Sequence, residues 1–350
     1  MRALALRPGK PTSLMLIDLP EPRRQDGSLL VQALQVGLCG TDAEIVAGQY
    51  GQAPPGEDLL VLGHENLGRV VQAPAGSGLS AGDLVVGIVR RPDPVPCPAC
   101  AAGEWDMCRN GRYLEHGIKG LHGFARELWR AEPDAVVRLD ARLADVGVLL
   151  EPATIVAKAW EQIDRIGARA FFDPKVAVVT GAGPVGLLAA LLGVQRGLEV
   201  HVFDQVTAGL KPDLVHALGA TYHSTTVTES GIDGDVIVEC TGVPSVVLDV
   251  MTSNATDSIT ALTGVSALGA LMNVDIGALN RSAVLSNDVI FGTVNANRRH
   301  YDAAAKALLD ADGAWLARLS TRRVPLDQYE VAFAKQPGGD VKVVLDVQDR

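Results

Sequence analysis

Long uncharged apolar runs are missing from this 350-residue chain. A membrane-spanning helix needs about 20 consecutive, mostly apolar residues, so none is expected. A signal peptide is not expected either: Met1-Arg2-Ala3-Leu4-Ala5-Leu6-Arg7 is cut short by Pro8, Gly9 and Lys10 before an apolar segment can form. Cysteine is scarce. The five present, Cys39, Cys97, Cys100, Cys108 and Cys240, are an odd and sparse set that makes no disulfide framework, and a cytoplasmic location is the expectation. Positive charge is in deficit, with 31 Lys and Arg against 41 Asp and Glu and a formal net charge of −10. Such a field repels phosphate backbones, which argues against a nucleic-acid partner. Blocks of like charge, internal repeats and low-complexity segments are also lacking. What remains is an ordinary globular balance, 47% hydrophobic and 21% charged, over a length sufficient for two domains.

The first 150 residues consist of short apolar runs broken by Gly, Pro and Asp. Leu29–Val36, Gly68–Val71 and Asp83–Val89 read as closely spaced strands, the texture of a β-rich domain. Pro92, Pro94, Pro96 and Pro98 mark an irregular loop. Beyond Glu151 the texture changes. Ala153–Arg165 has helical spacing, and Lys175–Thr180, Glu199–Asp204, Val236–Cys240 and Gly269–Val274 read as strands alternating with helices. That alternation implies a parallel sheet with crossovers. Helical spacing returns at His300–Leu309, and Val341–Val347 reads as a closing strand.

Gly181-Ala182-Gly183-Pro184-Val185-Gly186 fits G-x-G-x-x-G. The string follows a strand, opens a helix and precedes a second strand ending in Asp204, the context that makes it a dinucleotide fingerprint. Gly181 permits the turn, Gly183 lets the backbone approach a pyrophosphate, and Gly186 lets helix and strand pack closely. The diphosphate belongs at the helix N-terminus, with Pro184 and Val185 in its first turn. A carboxylate at Asp204 accepts from the adenosine ribose hydroxyls and repels a 2′-phosphate. Gln205, Val206 and Thr207 add no arginine. NAD is therefore favoured over NADP, with Lys211 near enough to leave NADP open.

Three further segments carry candidate metal ligands: Gly37-Leu38-Cys39-Gly40-Thr41-Asp42, Gly63-His64-Glu65 and Leu150-Glu151-Pro152. Together they supply a thiolate, an imidazole and two carboxylates, and catalytic Zn2+ takes three protein ligands and keeps one open position. Cys97-x2-Cys100-x7-Cys108 opens with metal-knuckle spacing.

These segments, with the downstream fingerprint, resemble the zinc-containing medium-chain alcohol dehydrogenases along essentially the whole chain. The resemblance implies an α/β protein: a GroES-like β-rich catalytic domain at 1–155 and 296–350, and a Rossmann doubly wound parallel-sheet domain at 156–295. It makes Cys39 and His64 catalytic zinc ligands and Glu65 a nearby or exchangeable one. Glu151 stands where the wider family has a second cysteine, which points to the polyol and sugar branch. Thr41 relays the substrate proton. Thr263 and Val265 resemble the turn beside the nicotinamide. The cysteine loop resembles a structural-zinc lobe with one ligand missing at Gly103. Either Asp106 completes it or the site is a remnant.

Tyr113–Phe124 and Phe291–His300 resemble stretches of the glucose dehydrogenases. That similarity assigns Glu115 and His300, with Glu151, to sugar hydroxyls and Asn295 to the cofactor side. The implied reaction is oxidation of an aldose, foremost D-glucose at C1, with hydride transfer to NAD(P) in a homodimer or homotetramer. Another polyol, an amino sugar or a cyclitol on the same scaffold is the alternative, and a non-catalytic NAD-binding protein is the more distant one.

Overall fold

Short apolar runs separated by glycine turns pair into sheets because each run buries one face and hydrogen-bonds along both edges. The computed structural model describes residues 1–252, 255–269, 271–334 and 339–348. The chain divides into two compact units, Met1–Glu151 with Ala296–Arg350, and Pro152–Asn295.

In the first unit the long strand Leu29–Leu38 is the spine. Glu65–Gln72 pairs antiparallel along one edge, followed outward by Leu84–Gly87 and Val136–Leu139. The other edge is shared: Leu128–Ala131 covers its first half and Lys342–Asp346 its second. Ser320–Pro325 lies parallel outside Lys342–Asp346. Two three-stranded sheets accompany this one, Arg2–Leu6 with Met15–Asp18 and Leu60–Val61, and Leu114–His116 with Arg90–Arg91 and Gly120–Leu121. Inward positions of the spine (Leu29, Val31, Ala33) join Leu4, Leu6, Val85, Phe124 and Trp129 in one buried core.

Among the described residues the second unit holds six parallel strands in the spatial order Thr221–His223, Glu199–Phe203, Val176–Thr180, Val236–Glu239, Ile259–Leu262, Val289–Gly292. In chain order this is 3-2-1-4-5-6, the doubly wound dinucleotide-binding arrangement, with its switch point between Val176–Thr180 and Val236–Glu239. The helix Pro184–Gln195 buries Gly186–Gly193 without a break, as its apolar sequence demands. The helix Leu150–Gly167 begins three residues before the expected Ala153, because Pro152 is tolerated in a first turn whose N–H groups have no intrahelical acceptor.

One expected strand is corrected. Gly269–Val274 includes Ala270, which lies outside the described residues, and the remainder is a turn at Gly269 followed by irregular backbone. Leu271 is 97% exposed, so its apolar pattern is not that of a buried strand. The sheet instead continues through Ile259–Leu262 and Val289–Gly292, with the helix Ile276–Ser286 between them, capped at its start by Asp275 accepting from Ala278 N. No helix among the described residues is long and apolar enough to cross a membrane.

Candidate active site

The spine strand delivers Cys39 to the N-cap of the short helix Gly40–Val46. Asp42, fully buried in the first turn, takes the Cys39 N–H on one carboxylate oxygen at 2.9 Å and places the other 3.4 Å from His64 Nδ1. The opposite ring nitrogen, His64 Nε2, faces the Cys39 sulfur at 3.2 Å. Glu65 opens the neighbouring strand opposite Gly37. A Cβ at position 37 would stand 2.1 Å from Glu65 Oε2, so a larger residue there would displace the Glu65 carboxylate from its place beside Lys342. Donor atoms of Cys39, His64 and Glu65 lie within 4.8 Å of one another. Both Glu65 oxygens also accept from Lys342 Nζ, at 2.6 and 2.7 Å, and Lys342 reaches the Leu38 carbonyl at 3.2 Å. Thr41 is half-buried in the same first turn as Asp42.

Glu151 is buried in the first turn of Leu150–Gly167. Burial raises its carboxyl to about 7, with His64 drawing it down and Glu65 pushing it up. Burial alone would depress the His64 imidazole, yet Asp42 and the Cys39 sulfur raise it well above its usual value. Such a cluster of anionic donors calls for positive charge. Lys342 supplies part of it at Glu65, and a divalent cation bound to the deprotonated ligands would supply the rest. Sulfur, imidazole and carboxylate are donors zinc accepts, and a histidine oriented by a buried carboxylate is the usual outer support.

The three cysteines of the Pro-rich loop also converge, their sulfurs within 4.8 Å of one another. N–H groups of Arg109 and Cys100 hold the Cys97 thiol down at about 6, while burial pushes Cys100 up to about 11. Asp106 does not complete this cluster. Its Oδ1 accepts from Asn297 Nδ2 at 2.8 Å, and it is not among the converging donors. The three thiols are soft donors at zinc-compatible spacing, so they fit a tetrahedral ion with one outside ligand.

Glu115 lies directly across the strand pair from Arg90. Arg90 Nε and Nη2 donate to Glu115 Oε1 at 3.1 and 3.0 Å, both side chains are buried, and the guanidinium packs 3.6 Å from the Tyr113 ring centroid. His300 occupies the third position of the helix Arg298–Asp310, is 1% exposed, and accepts the Asn297 N–H on Nδ1 at 3.1 Å. Next to it, Tyr301 accepts from Val89 N at 3.2 Å. Burial, with the charges of Glu151 and Glu115, raises its phenol far above the ordinary value.

In the second unit the three glycines of the fingerprint meet different surroundings. Gly181 has φ +88° at the end of its strand, and a Cβ there would stand 2.9 Å from Thr241 Cγ2. A Cβ on Gly186 would collide with the Gly181 carbonyl at 1.7 Å. At Gly183, the N-cap of the helix, a Cβ would meet nothing within 4 Å. That open space beside a helix N-terminus fits a diphosphate. Pro184 and Val185 form the first turn, half-buried. Asp204 accepts from Ala182 N at 2.7 Å, Val206 N at 3.1 Å and Lys211 Nζ at 2.9 Å. Against the effect of burial, Lys211 and these N–H groups hold its carboxyl below the usual range. Thr263 donates through its hydroxyl to the Glu239 carbonyl at 2.7 Å, Val265 is exposed, and Asn295 has φ +63°.

Several participants escaped the sequence reading: Asp42, Lys342, Arg90, Asn297 and Glu239. Asp42 belongs to the quoted G-x-C-G-T-D string and was legible in principle. Lys342 lies in the closing strand, and nothing in the local pattern of 341–347 distinguishes it from a solvent-facing lysine.

The family model for the alcohol dehydrogenase GroES-like domain matches residues 25–141, and that for the glucose dehydrogenase C-terminus matches residues 144–347. The chain is 39% identical to a glucose 1-dehydrogenase of Methanocella arvoryzae, over 99% of each chain. It is 40% identical to one of Thermoproteus tenax, over 99% of this chain and 100% of that one. A solved structure of Haloferax mediterranei glucose dehydrogenase in complex with NADP, Zn and gluconolactone superposes over the whole of both chains with a TM-score of 0.92 at 33% identity. By site, fold and relatives the chain belongs to the zinc-containing medium-chain alcohol dehydrogenases. Within them it falls in the glucose dehydrogenase subfamily, a zinc-dependent dehydrogenase that uses a nicotinamide cofactor.

Proposed function

We propose that this chain oxidises D-glucose at C1 to gluconolactone, with NAD as preferred acceptor and NADP also used. The observation that carries the reading is the Cys39–His64–Glu65 cluster, half-buried at Cys39 and buried at His64 and Glu65, with its supporting Asp42 and Lys342. When bound, zinc supplies a Lewis acid that lowers the pKa of the substrate hydroxyl, and the dinucleotide supplies the hydride acceptor. Cys39 and His64 would hold the ion, and Glu65 and Glu151 would complete its coordination or exchange there. Asp42, 3.4 Å from His64 Nδ1, would orient the ring so that Nε2 is the nitrogen offered to the ion. The Thr41 hydroxyl takes the substrate proton and passes it outward. Glu115 and His300 bind sugar hydroxyls, a role that directional buried polar groups perform with high selectivity. Gly181, Gly183 and Gly186 seat the diphosphate, Asp204 takes the adenosine ribose, and Thr263, Val265 and Asn295 line the nicotinamide. Lys211 on Asp204 offsets the carboxylate that would repel a 2′-phosphate, which is why both cofactors are retained. In the cysteine loop, Cys97, Cys100 and Cys108 hold a second, structural zinc.

The test is absorbance at 340 nm with zinc-loaded enzyme, NAD or NADP, and a panel of aldoses, polyols and simple alcohols. The expected result is fastest reduction with glucose and faster turnover with NAD. Preference for another polyol or an amino sugar replaces the substrate and keeps the chemistry. Faster turnover with NADP overturns the cofactor ranking.

We further propose a homodimer or homotetramer built on the outer edge of the parallel sheet. Val289–Gly292 is an edge strand, and the adjoining helix Ile276–Ser286 buries none of its residues. Ile276, Val284 and Leu285 stand 66–70% exposed, and Leu268 and Leu271 are almost fully so. An apolar patch beside an open strand edge favours a self-complementary contact with a second copy. Light scattering after size-exclusion chromatography should show an oligomer, and Val284→Glu with Leu285→Glu should reduce it to a monomer. A native monomer at micromolar concentration sinks the proposal.

A further inference from the structure

The turn Trp105–Met107, enclosed by Cys100 and Cys108, carries Asp106 at 4% exposure. A carboxylate so placed is costly unless its hydrogen bonds are put to use. Its Oδ1 accepts from Asn297 Nδ2 at 2.8 Å. Asn297 is the N-cap of Arg298–Asp310: its Oδ1 accepts from Arg299 N at 3.2 Å, and its own N–H donates to His300 Nδ1 at 3.1 Å. A histidine that accepts on Nδ1 carries its proton on Nε2 when neutral, so this contact fixes both the ring's orientation and the nitrogen that donates. The main chain of Asp106 serves a second strand. Its carbonyl accepts from Arg90 Nη1 at 3.3 Å, and Arg90 holds Glu115 through Nε and Nη2. Glu104, two residues earlier, takes Asn297 Nδ2 at 3.3 Å and the Arg299 guanidinium at 2.9 Å.

We infer that Asp106 is the positioning residue of the sugar site: through Asn297 it sets the His300 ring, and through its carbonyl and Arg90 it sets Glu115. The inference rests on the assignment of Glu115 and His300 to sugar hydroxyls. Asp106 ties two distant chain segments to one turn, so that the hydrogen-bonding atoms of both reach a polyhydroxylated ligand in register.

The experiment is a set of steady-state titrations of glucose at saturating NAD, with NAD affinity, zinc content and thermal melting measured on the same samples. In Asp106→Leu the carbonyl to Arg90 remains and the bond to Asn297 is lost. KM for glucose should rise about 10- to 100-fold, the effect of a His300 ring displaced from the sugar, with kcat, NAD affinity and zinc content little changed. Asp106→Asn keeps an acceptor oxygen in the same place and should restore KM to within about threefold of the parent. Asn297→Ser retains a helix cap but cannot reach Asp106, and should repeat the KM rise in a chain whose loop is unaltered. Joined to His300→Ala, Asp106→Leu should add little, because both act through one ring. An unchanged KM in both Asp106→Leu and Asn297→Ser, no rescue by asparagine, or full additivity with His300→Ala overturns the inference. If His300→Ala and Glu115→Gln leave KM unchanged, the underlying sugar assignment fails instead.

Discussion

In Cys39→Ala, kcat/KM for glucose should fall by about three orders of magnitude or more, while NAD binds as in the parent. Zinc polarisation contributes several kcal/mol to stabilising the developing alkoxide, and alanine at this position removes the only sulfur donor of the cluster. Cys39 Sγ and His64 Nε2 are 3.2 Å apart around one point, so His64→Ala should cost about as much, and the double variant little more. Groups that act as a unit lose their effect once. Asp42→Asn is the graded member of the series. It keeps the shape of the buried side chain beside His64 Nδ1 but weakens its hold on the N–H, and zinc affinity should drop about 10- to 100-fold. Metal analysis should show one equivalent of zinc lost from Cys39→Ala and the remainder kept by the Cys97–Cys100–Cys108 loop. Full activity in both Cys39→Ala and His64→Ala would remove the metal assignment altogether. Cofactor binding, measured by nicotinamide fluorescence, separates a damaged metal centre from a damaged fold.

Lys342→Met should destabilise the first unit by about 3–5 kcal/mol, the usual effect of stranding one member of a buried ion pair. Glu65 is 2% exposed and both its oxygens are taken by Lys342. Methionine fills the space of the lysine stem but leaves the carboxylate without its cation. Replacing both partners, Glu65→Gln with Lys342→Met, should recover most of the stability, because a buried pair contributes little net against an uncharged pair of similar volume. The readout is urea unfolding followed by circular dichroism in metal-stripped protein, since bound zinc would supply Glu65 with a substitute charge. A single variant as stable as the parent would mean that Glu65 is protonated or hydrated rather than paired.

The first strands of the parallel-sheet unit, Val176–Thr180, Glu199–Phe203 and Val236–Glu239, were legible because their apolar runs flank a glycine loop, whereas Thr221–His223, Ile259–Leu262 and Val289–Gly292, short or mixed with threonine and histidine, were not. Gly183 and Gly186 differ in their surroundings as their spacing implies, one facing open space and one pressed on a carbonyl. The misread strand at Gly269–Val274 failed for a related reason. A short apolar run looks the same whether it is buried in a sheet or exposed on a surface, and the exposure of Leu271 and Leu268 decides the matter only in three dimensions. Cys39, His64, Glu65 and Glu151 were visible as residue types in short motifs, and Asp42 lay within one of them, but the distant support Lys342 was not visible. Lys342 meets Glu65 across 277 residues of sequence, and no local period encodes such a pairing. Asp106 shows the opposite failure. Its position between cysteines left a metal-ligand role open beside a remnant site, and the fold turns it toward Asn297.

The split edge of the spine strand has a consequence for how the protein is made. Residues 29–32 are covered by Leu128–Ala131, a neighbour that leaves the ribosome early, but residues 35–38, which end beside Cys39, wait for Lys342–Asp346. The Leu38 carbonyl and the lysine that closes over it are 304 residues apart. At translation rates of about 5–20 residues per second, that interval is roughly 15–60 s. Throughout it the nascent chain presents an unpaired strand edge and a Glu65 without its counter-charge, whereas the parallel-sheet unit is continuous and can finish folding. The first unit, begun first, is thus completed last, and its unpaired strand edge is one that cover by a chaperone would protect during synthesis.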